Sequence, residues 1–262
     1  MLTEQCNKSF ANGVVYLLNT EDNYPLEVTD TWLPINTKDA IGRKQNMLTS
    51  YDVGDRSERY LIGISTMSGC PVKCRFCATA KLKRWRNLTA EEMVEQVDFI
   101  VNKNPQFNPA NSKEFKCNMT RMGEPFLNII EVKKAIKILV EKYPNIHIFV
   151  STVGIQGSDF GFVKDNVTLQ LSLHSLDEAR RDDLIPISHK MTLKELGDVR
   201  TKSNLKTTLN MTLVDEKDFD INKLKEYFDP QHFFVKLSPI NTNAISEQNG
   251  LGRGIIEAVN LI

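Results

Sequence analysis

The sequence predicts an α/β fold, a partial or open (β/α) barrel preceded by a small N-terminal extension. Two observations support this prediction. The chain has 262 residues, which is enough for one large α/β domain. Short β-rich runs also alternate with helical patterns from residue 59 onward. We therefore divide the chain into an N-terminal extension, residues 1–58, and a core domain, residues 59–262.

The predicted elements follow one another at short loop spacing. Strand-like runs occupy 60–64, 115–119, 147–151, 168–173, 207–213 and 233–237, and helical patterns occupy 91–102, 131–142, 192–202 and 221–228. This order is typical of parallel βαβ units, whose chemistry collects at the C-terminal ends of the strands. Thr89 and Glu92 form a capping-box pattern that starts the first helix. Residues 1–58 contain turn formers and predict only short strands.

Composition and charge restrict the possible partners. Lys plus Arg equals Asp plus Glu at 33 each, so no global field attracts a polyanion. No apolar run approaches the roughly 18 residues that a membrane span needs, so we expect no membrane partner. The first residues do not resemble a secretory signal, and the sequence therefore predicts a cytoplasmic protein.

One short segment could still bind nucleic acid. Residues 81–86, K-L-K-R-W-R, place four cations around a tryptophan directly after a cysteine cluster. Phosphate contacts and base stacking could coexist there. A solvated face at the start of a helix is the alternative interpretation, and the sequence does not decide between them.

Three cysteines form the most specific motif. Cys70, Cys74 and Cys77 have the spacing C-x3-C-x2-C in a loop after the first core strand. Three thiolates can ligate three irons of an iron–sulfur cluster and leave the fourth iron open to a small chelating molecule. Structural zinc normally needs four ligands, and no second cysteine pair or nearby histidine accompanies the motif. Zinc or simple buried thiols remain the alternatives.

The motif, with Phe76 directly before the third cysteine, resembles the signature of the radical S-adenosylmethionine (SAM) superfamily. Residues 122–128, M-G-E-P-F-L-N, resemble a segment of the RlmN and Cfr methyltransferases, which modify adenine in ribosomal RNA. Three further segments agree with that family in order and spacing. They are residues 151–155, 171–174 with 180–187, and 238–241.

The resemblance implies a partial barrel of the radical SAM type that binds a [4Fe-4S] cluster and SAM. Cys70, Cys74 and Cys77 would ligate the cluster, and Phe76 would lie near the adenine of SAM. The implied SAM-binding residues are Phe76, Gly123, Glu124, Ser151, Ser172, Leu173, His174 and Asn241. Gly123 and Glu124 would meet the amino end of the methionine moiety. A turn glycine and incidental loop polar residues are the alternative interpretation of this set.

Two positions depart from the family pattern. The related methyltransferases use a resolving cysteine seven residues before the first cluster cysteine, where this chain has Gly63. They use a second, methyl-carrying cysteine near the C-terminus, and no cysteine follows Cys117 in this sequence. Cys117 lies on a predicted strand, and we expect it to be a small buried apolar residue. We therefore expect the SAM-cleaving core to be retained without the two-cysteine methylation mechanism.

The main hypothesis is a radical SAM enzyme whose 5′-deoxyadenosyl radical abstracts hydrogen from a small-molecule, peptide or RNA substrate. An electron donor such as flavodoxin or ferredoxin would be its partner. The alternatives are an RNA adenine-modifying, methyltransferase-like enzyme, a glycyl-radical activating enzyme, and a non-catalytic metal-binding module. The sequence identifies no residue that acts directly on the substrate.

Overall fold

The computed structural model describes residues 1–33 and 54–252. They form two compact units. Unit 1 comprises Met1–Thr66, Leu88–Arg121 and Ile130–Ile148, and unit 2 comprises Met67–Asn87, Met122–Ile129 and Phe149–Ile262. The boundary after residue 58 stays a prediction, and residues 34–53 and 253–262 of the two predicted segments lie outside the described residues.

The described strands and helices occur in the following order. The strands are β1 (Thr3–Phe10), β2 (Gly13–Asn19), β3 (Pro25–Trp32), β4 (Arg59–Ile64), β5 (Met67–Ser68), β6 (Arg86–Asn87), β7 (Glu114–Met119), β8 (Ile146–Thr152), β9 (Val167–Ser172), β10 (Thr207–Leu213) and β11 (Phe233–Pro239). The helices are α1 (Ala90–Lys103), α2 (Ile129–Lys142), α3 (Glu178–Leu184), α4 (Leu193–Gly197), α5 (Ile221–Tyr227) and α6 (Ala244–Gln248). In the part of the chain that is described, no helix has the length and apolar character needed to cross a membrane.

Unit 1 is a mixed sheet with helical cover. Strands β1 to β4 pair antiparallel in order, and β4 then pairs parallel with β7, Ile62 opposite Cys117. Strand β8 begins in this unit, next to β7 in the strand order. On β7, Phe115, Cys117 and Met119 are buried in alternation, which confirms Cys117 as a small core residue.

The first helix confirms its sequence signals. Thr89 accepts a hydrogen bond from the backbone N–H of Glu92, whose carboxylate in turn accepts one from the N–H of Thr89. This capping box satisfies two backbone donors that a helix start would otherwise leave unpaired. The apolar positions Met93 and Val97 of α1 are fully buried.

Unit 2 carries the end of β8 and the parallel strands β9, β10 and β11 in that order. Leu171 on β9 lies opposite Leu209 on β10, and both side chains are buried. Because these strands are parallel, their C-terminal residues end at one edge of the sheet. A two-stranded antiparallel ribbon of β5 and β6 flanks the cysteine motif in the sequence.

Three helices differ from the prediction. Helix α6 (Ala244–Gln248) is not predicted. The pattern at 192–202 predicts a long helix, but α4 ends at Gly197. This residue is packed so closely that a Cβ would collide with the carbonyl oxygen of Tyr227. Helix α3 is not predicted at all. Its sequence, EARRDDL, is almost entirely charged and has no apolar periodicity, and its start is fixed by Asp177, which accepts a hydrogen bond from the N–H of Arg180.

Candidate functional site

The three cysteines lie in one tight loop of unit 2, after β5. Gly69 and Lys73 have positive φ angles of 70° and 54°, which turn the chain sharply on either side of Cys70. The N–H of Cys77 donates to the carbonyl oxygen of Cys74 at 3.1 Å, so a further turn brings these two residues together. All three cysteines are only partly exposed.

Burial and mutual repulsion act on the thiols. Burial raises the pKa of Cys70 to about 12, opposed by hydrogen bonds from the backbone N–H groups of Val72 and Lys73. Burial also raises the pKa of Cys74 well above its usual value, and the neighbouring Cys77 and Cys70 raise it further. Such thiols stay protonated at neutral pH unless a metal cation replaces their protons.

The donor chemistry of this loop fits an iron–sulfur cluster. Three thiols lie within electrostatic range of one another, and two backbone N–H groups point at the sulfur of Cys70, as expected for cluster thiolates. Within the described residues, no three His, Cys, Asp or Glu side chains are grouped closely enough for one metal ion. A [4Fe-4S] cluster takes each thiolate on a different iron, so its ligands stand farther apart than those of a single tetrahedral zinc.

Two asparagine side chains hold the backbone of the cysteine loop. Asn243 donates through Nδ2 to the carbonyl oxygen of Phe76 at 2.9 Å, and Asn249 donates to that of Arg75 at 2.8 Å. The guanidinium of Arg75 pairs with Asp183. Asn243 and Asn249 are not among the site residues predicted from the sequence. The one sequence signal that could have pointed to Asn243 is its position as the N-cap of α6, in a capping box.

Gly123 and Glu124 come together through an unusual backbone conformation. Gly123 has φ 107°, and a Cβ there would lie 2.7 Å from the backbone nitrogen of Met67, so only glycine fits. The carboxylate of Glu124 accepts hydrogen bonds from the N–H of Phe126 at 3.1 Å and of Val153 at 2.9 Å. Burial raises the pKa of Glu124 to about 7, partly opposed by a hydrogen bond from the Thr152 hydroxyl and by these two backbone hydrogen bonds. A buried carboxylate of this kind can pair with a ligand's ammonium group.

Polar groups of neighbouring strands meet near their C-terminal ends. Ser151 on β8 and Ser172 at the end of β9 lie with their hydroxyl oxygens 3.1 Å apart. Leu173, directly after β9, is buried, and its N–H donates to the carbonyl oxygen of Asn210 at 3.0 Å. The structure therefore brings the predicted Ser151 and Ser172 into direct contact.

His174 is buried in a left-handed conformation, with φ 61°, which is rare for a residue other than glycine. Its Nδ1 accepts a hydrogen bond from the N–H of Thr212 at 3.2 Å. Burial, with a smaller contribution from the positive charge of Arg181, lowers the pKa of His174 to about 3, so the ring is neutral at pH 7. The ring centroids of His174 and Phe76 lie 4.5 Å apart, so two of the predicted SAM-binding residues are in contact.

Asn241 differs from the other predicted residues because it is exposed, just past the end of β11. Its carbonyl oxygen accepts a 3.3 Å hydrogen bond from Asn243, the residue that also holds Phe76. Asn241 is therefore connected to the cysteine loop through its backbone.

Arg181 is fully buried and was missed as a site residue. In the sequence, residues 180–187 stand out only as a segment that resembles the methyltransferase family. The guanidinium of Arg181 donates to the carbonyl oxygens of Val153 and Met191, both at 2.6 Å. The N–H of Val153 donates to the carboxylate of Glu124, and the carbonyl oxygen of Val153 accepts from Arg181. Glu124 and Arg181 therefore both hold the backbone of Val153 in place. The spacing of apolar residues along a helix could not reveal this role, because Arg181 acts through hydrogen bonds to backbone carbonyl oxygens.

The comparisons with known proteins agree with this site. The family model described as "Radical SAM superfamily" matches residues 64–228. A protein of Pseudothermotoga lettingae named "Probable dual-specificity RNA methyltransferase RlmN" is 36% identical over 194 residues, which cover 68% of this chain and 54% of the relative. A protein of the same name from Heliobacterium modesticaldum is 30% identical over 213 residues, covering 76% and 55%. The chain spans about half the length of these curated relatives.

The solved structures confirm the fold class. The crystal structure of a radical SAM methyltransferase from Sphaerobacter thermophilus is similar with a TM-score of 0.72 and 23% identity, covering 99% of this chain and 72% of that protein. This similarity, with the family match, confirms the predicted α/β partial (β/α) barrel. The family uses a [4Fe-4S] cluster and SAM, the two cofactors expected from the cysteine motif. The chain belongs to the radical SAM superfamily.

Proposed function

We propose that this chain is the radical SAM core of an enzyme that modifies adenine in RNA. The observation that carries the proposal is the similarity to proteins named RNA methyltransferases over two thirds or more of this chain. That similarity includes the cysteine loop and the Gly123–Glu124 segment in one compact unit. It favours the RNA-modifying alternative over hydrogen abstraction from a substrate of unspecified class.

In this proposal Cys70, Cys74 and Cys77 hold the [4Fe-4S] cluster. When bound, the cluster and SAM supply a one-electron reductive cleavage that yields a 5′-deoxyadenosyl radical. Iron binding would release the thiol protons to solvent, and the N–H groups of Val72 and Lys73 would stabilise the negative charge on the Cys70 sulfur. A flavodoxin or ferredoxin is the class of electron donor that we propose.

The remaining predicted residues would hold SAM. The Glu124 carboxylate, fixed by two backbone N–H groups, would accept the ammonium group of the methionine moiety. The neutral His174 ring and the Phe76 ring offer apolar surface for adenine without adding a charge. The hydroxyls of Ser151 and Ser172 would bind polar groups of SAM. The exposed Asn241 would contact SAM from the segment that follows β11.

Position 63 favours a second candidate chemistry on the same core. A Cβ at Gly63 would collide with the side-chain oxygen of Thr29 and lie 3.0 Å from Cδ of Arg121. The resolving cysteine of the resembling methyltransferases therefore has no space here unless these side chains shift. This observation favours hydrogen abstraction without the two-cysteine methylation mechanism as the second candidate.

Product analysis separates the two candidates. The chain would be reconstituted anaerobically with iron and sulfide and incubated with SAM, a strong reductant and ribosomal RNA transcripts. Methylated adenosine together with S-adenosylhomocysteine supports RNA methylation. A modified nucleoside with 5′-deoxyadenosine but no S-adenosylhomocysteine supports the second candidate acting on RNA. RNA nucleosides that match those of a Cys74→Ala control would contradict the proposed substrate.

A further inference from the structure

The charge of this neutral chain is unevenly distributed around the cysteine motif. Residues 67–87 contain no Asp or Glu but six cations, which are Lys73, Arg75, Lys81, Lys83, Arg84 and Arg86. Arg75 is paired with Asp183. The positive charge is therefore local to the loop that carries the three cysteines, although the whole chain has a net charge of zero.

The last part of this stretch, residues 81–86, forms an exposed surface that we call the basic segment. Lys81, Lys83 and Arg84 are exposed, and Trp85 is 48% exposed. Within the described part of the chain, no residue forms a hydrogen bond or an ion pair with the ammonium group of Lys81 or Lys83. An exposed aromatic ring beside exposed cations is the combination that binds single-stranded nucleic acid, so this surface indicates a binding site.

Both ends of the basic segment are fixed to the cysteine loop. The 3-10 helix Ala78–Lys81 begins directly after Cys77, and its rise of about 2 Å per residue puts Lys81 about 8 Å from Cys77 along the axis. At the other end, Ser68 pairs with Arg86 in the β5–β6 ribbon. A Cβ at Gly69 would lie 2.6 Å from the carbonyl oxygen of Arg84, so this glycine allows the segment to pack on the residue before Cys70.

We propose that the basic segment binds an unpaired stretch of RNA beside the cluster, with Lys81 and Lys83 on phosphates and Trp85 stacked on a base. This inference rests on the proposed RNA substrate and adds the surface that holds it. Cations interleaved with an aromatic ring match the alternation of phosphates and bases in a single strand. In a duplex the base faces are already stacked, so Trp85 favours a loop or a single strand.

Fluorescence anisotropy tests the proposal with the full 262-residue chain. The probes are a fluorescein-labelled RNA stem-loop with an unpaired, adenine-containing loop and a fully paired RNA duplex of equal length. The variants are Lys81→Gln/Lys83→Gln, Trp85→Ala and Trp85→Phe. The matched control is Lys225→Gln/Lys236→Gln, which removes the same charge from two other exposed lysines of unit 2. Circular dichroism and thermal unfolding establish that each variant is folded.

The proposal predicts different losses for the two kinds of contact. The double lysine variant should bind the stem-loop about 25-fold more weakly at about 0.1 M salt, and its negative slope of log K against log salt should be less steep by about 1.4. Trp85→Ala should weaken binding about 5- to 150-fold, whereas Trp85→Phe should retain most of the affinity. The control variant should bind like the unmodified chain, and the duplex should bind more weakly than the stem-loop.

The outcomes separate this inference from the proposed function. If the unmodified chain binds and modifies RNA but the segment variants behave like the control, the basic segment is not the RNA surface and the proposed function stands. If the unmodified chain binds neither RNA, the proposed substrate and this inference both fail. Equal affinity for stem-loop and duplex, unaffected by Trp85→Ala, would contradict the stacking contact.

Discussion

Glu124 shows how one residue can be fixed before its ligand arrives. Its two carboxylate oxygens accept hydrogen bonds from different segments, one from Phe126 and one from Val153, so the side chain cannot rotate freely. Burial nevertheless raises its pKa to about 7, because few charges offset the loss of water. A ligand ammonium group would favour the ionised form, and SAM binding should therefore lower this pKa.

The raised pKa of Glu124 predicts a pH-dependent stability of the cofactor-free chain. Between pH 4.5 and about 7 the folded state keeps a proton that the unfolded state releases, so this residue's contribution is complete below pH 4.5 and falls as pH rises. The loss is about 3 kcal/mol over that range. His174 acts in the opposite sense, since its lowered pKa adds stability as pH rises from about 3 to 6.5.

Denaturant unfolding of the unmodified chain and Glu124→Gln at several pH values isolates the Glu124 contribution. We expect the difference in unfolding free energy between Glu124→Gln and the unmodified chain to shift in favour of the variant as pH rises from about 5 to 7. Parallel pH profiles for the two proteins would show that Glu124 does not hold a raised pKa.

Gly123→Ala should displace Glu124. The new methyl group would lie 2.7 Å from the backbone of Met67 and would also require an unfavourable positive φ. Gly157→Ala is the matched control, because Gly157 has φ 76° but open space around its Cβ position. We expect the control to cost about 1 kcal/mol in unfolding free energy and Gly123→Ala at least about 1 kcal/mol more.

Calorimetric titration with SAM measures the functional part of this prediction. Affinity should fall at least about tenfold in Gly123→Ala and stay near that of the unmodified chain in Gly157→Ala. Equal SAM affinity for both variants would mean that the conformation at Gly123 does not place the SAM-binding carboxylate.

At the scale of elements, helix α6 connects to the cysteine loop through its own N-cap. Asn243 accepts hydrogen bonds from the N–H groups of Ile245 and Ser246 with its oxygen and donates to the carbonyl oxygen of Phe76 with its nitrogen. One side chain therefore starts a helix and holds the residue before Cys77. Helix α6 and the cysteine loop should therefore unfold locally as one unit.

Two substitutions at Asn243 separate the capping role from the loop contact. Asn243→Ser keeps a capping oxygen but is too short to reach Phe76, and Asn243→Ala removes both contacts. Hydrogen exchange should accelerate at the N–H of Cys77 in both variants. The alanine variant should lose about 1 kcal/mol more unfolding free energy than the serine variant. Unchanged exchange at Cys77 would show that Asn243 does not stabilise the loop.

The sequence predicts those elements whose signals are local. The capping box of Thr89 and the alternation of Phe115 and Met119 both correspond to observed elements. Helix α3 was missed because its seven residues lack apolar periodicity, and α4 was predicted too long because the close contact of Gly197 with Tyr227 is tertiary. Local pattern reasoning cannot detect a backbone contact made 30 residues away.

For the whole molecule, the candidate site is assembled from segments that are distant in the sequence. Motif spacing and family resemblance identify the cysteines and the residues at the strand ends. They do not reveal that Ser151 contacts Ser172, that Phe76 contacts His174, or that Arg181 supports Glu124 through Val153. These links depend on strand register and on buried side chains that bind backbone atoms, which only the folded chain determines.

Anaerobic reconstitution tests whether Cys70, Cys74 and Cys77 assemble an iron–sulfur cluster. After incubation with iron and sulfide, the unmodified chain and a Cys6→Ser control at an exposed cysteine should each bind about four irons and four sulfides per chain. With SAM and a strong reductant, both should form 5′-deoxyadenosine, and Cys74→Ala should do neither. An unmodified chain that binds a single zinc, or that forms no more 5′-deoxyadenosine than Cys74→Ala, would contradict a SAM-cleaving cluster at the three cysteines.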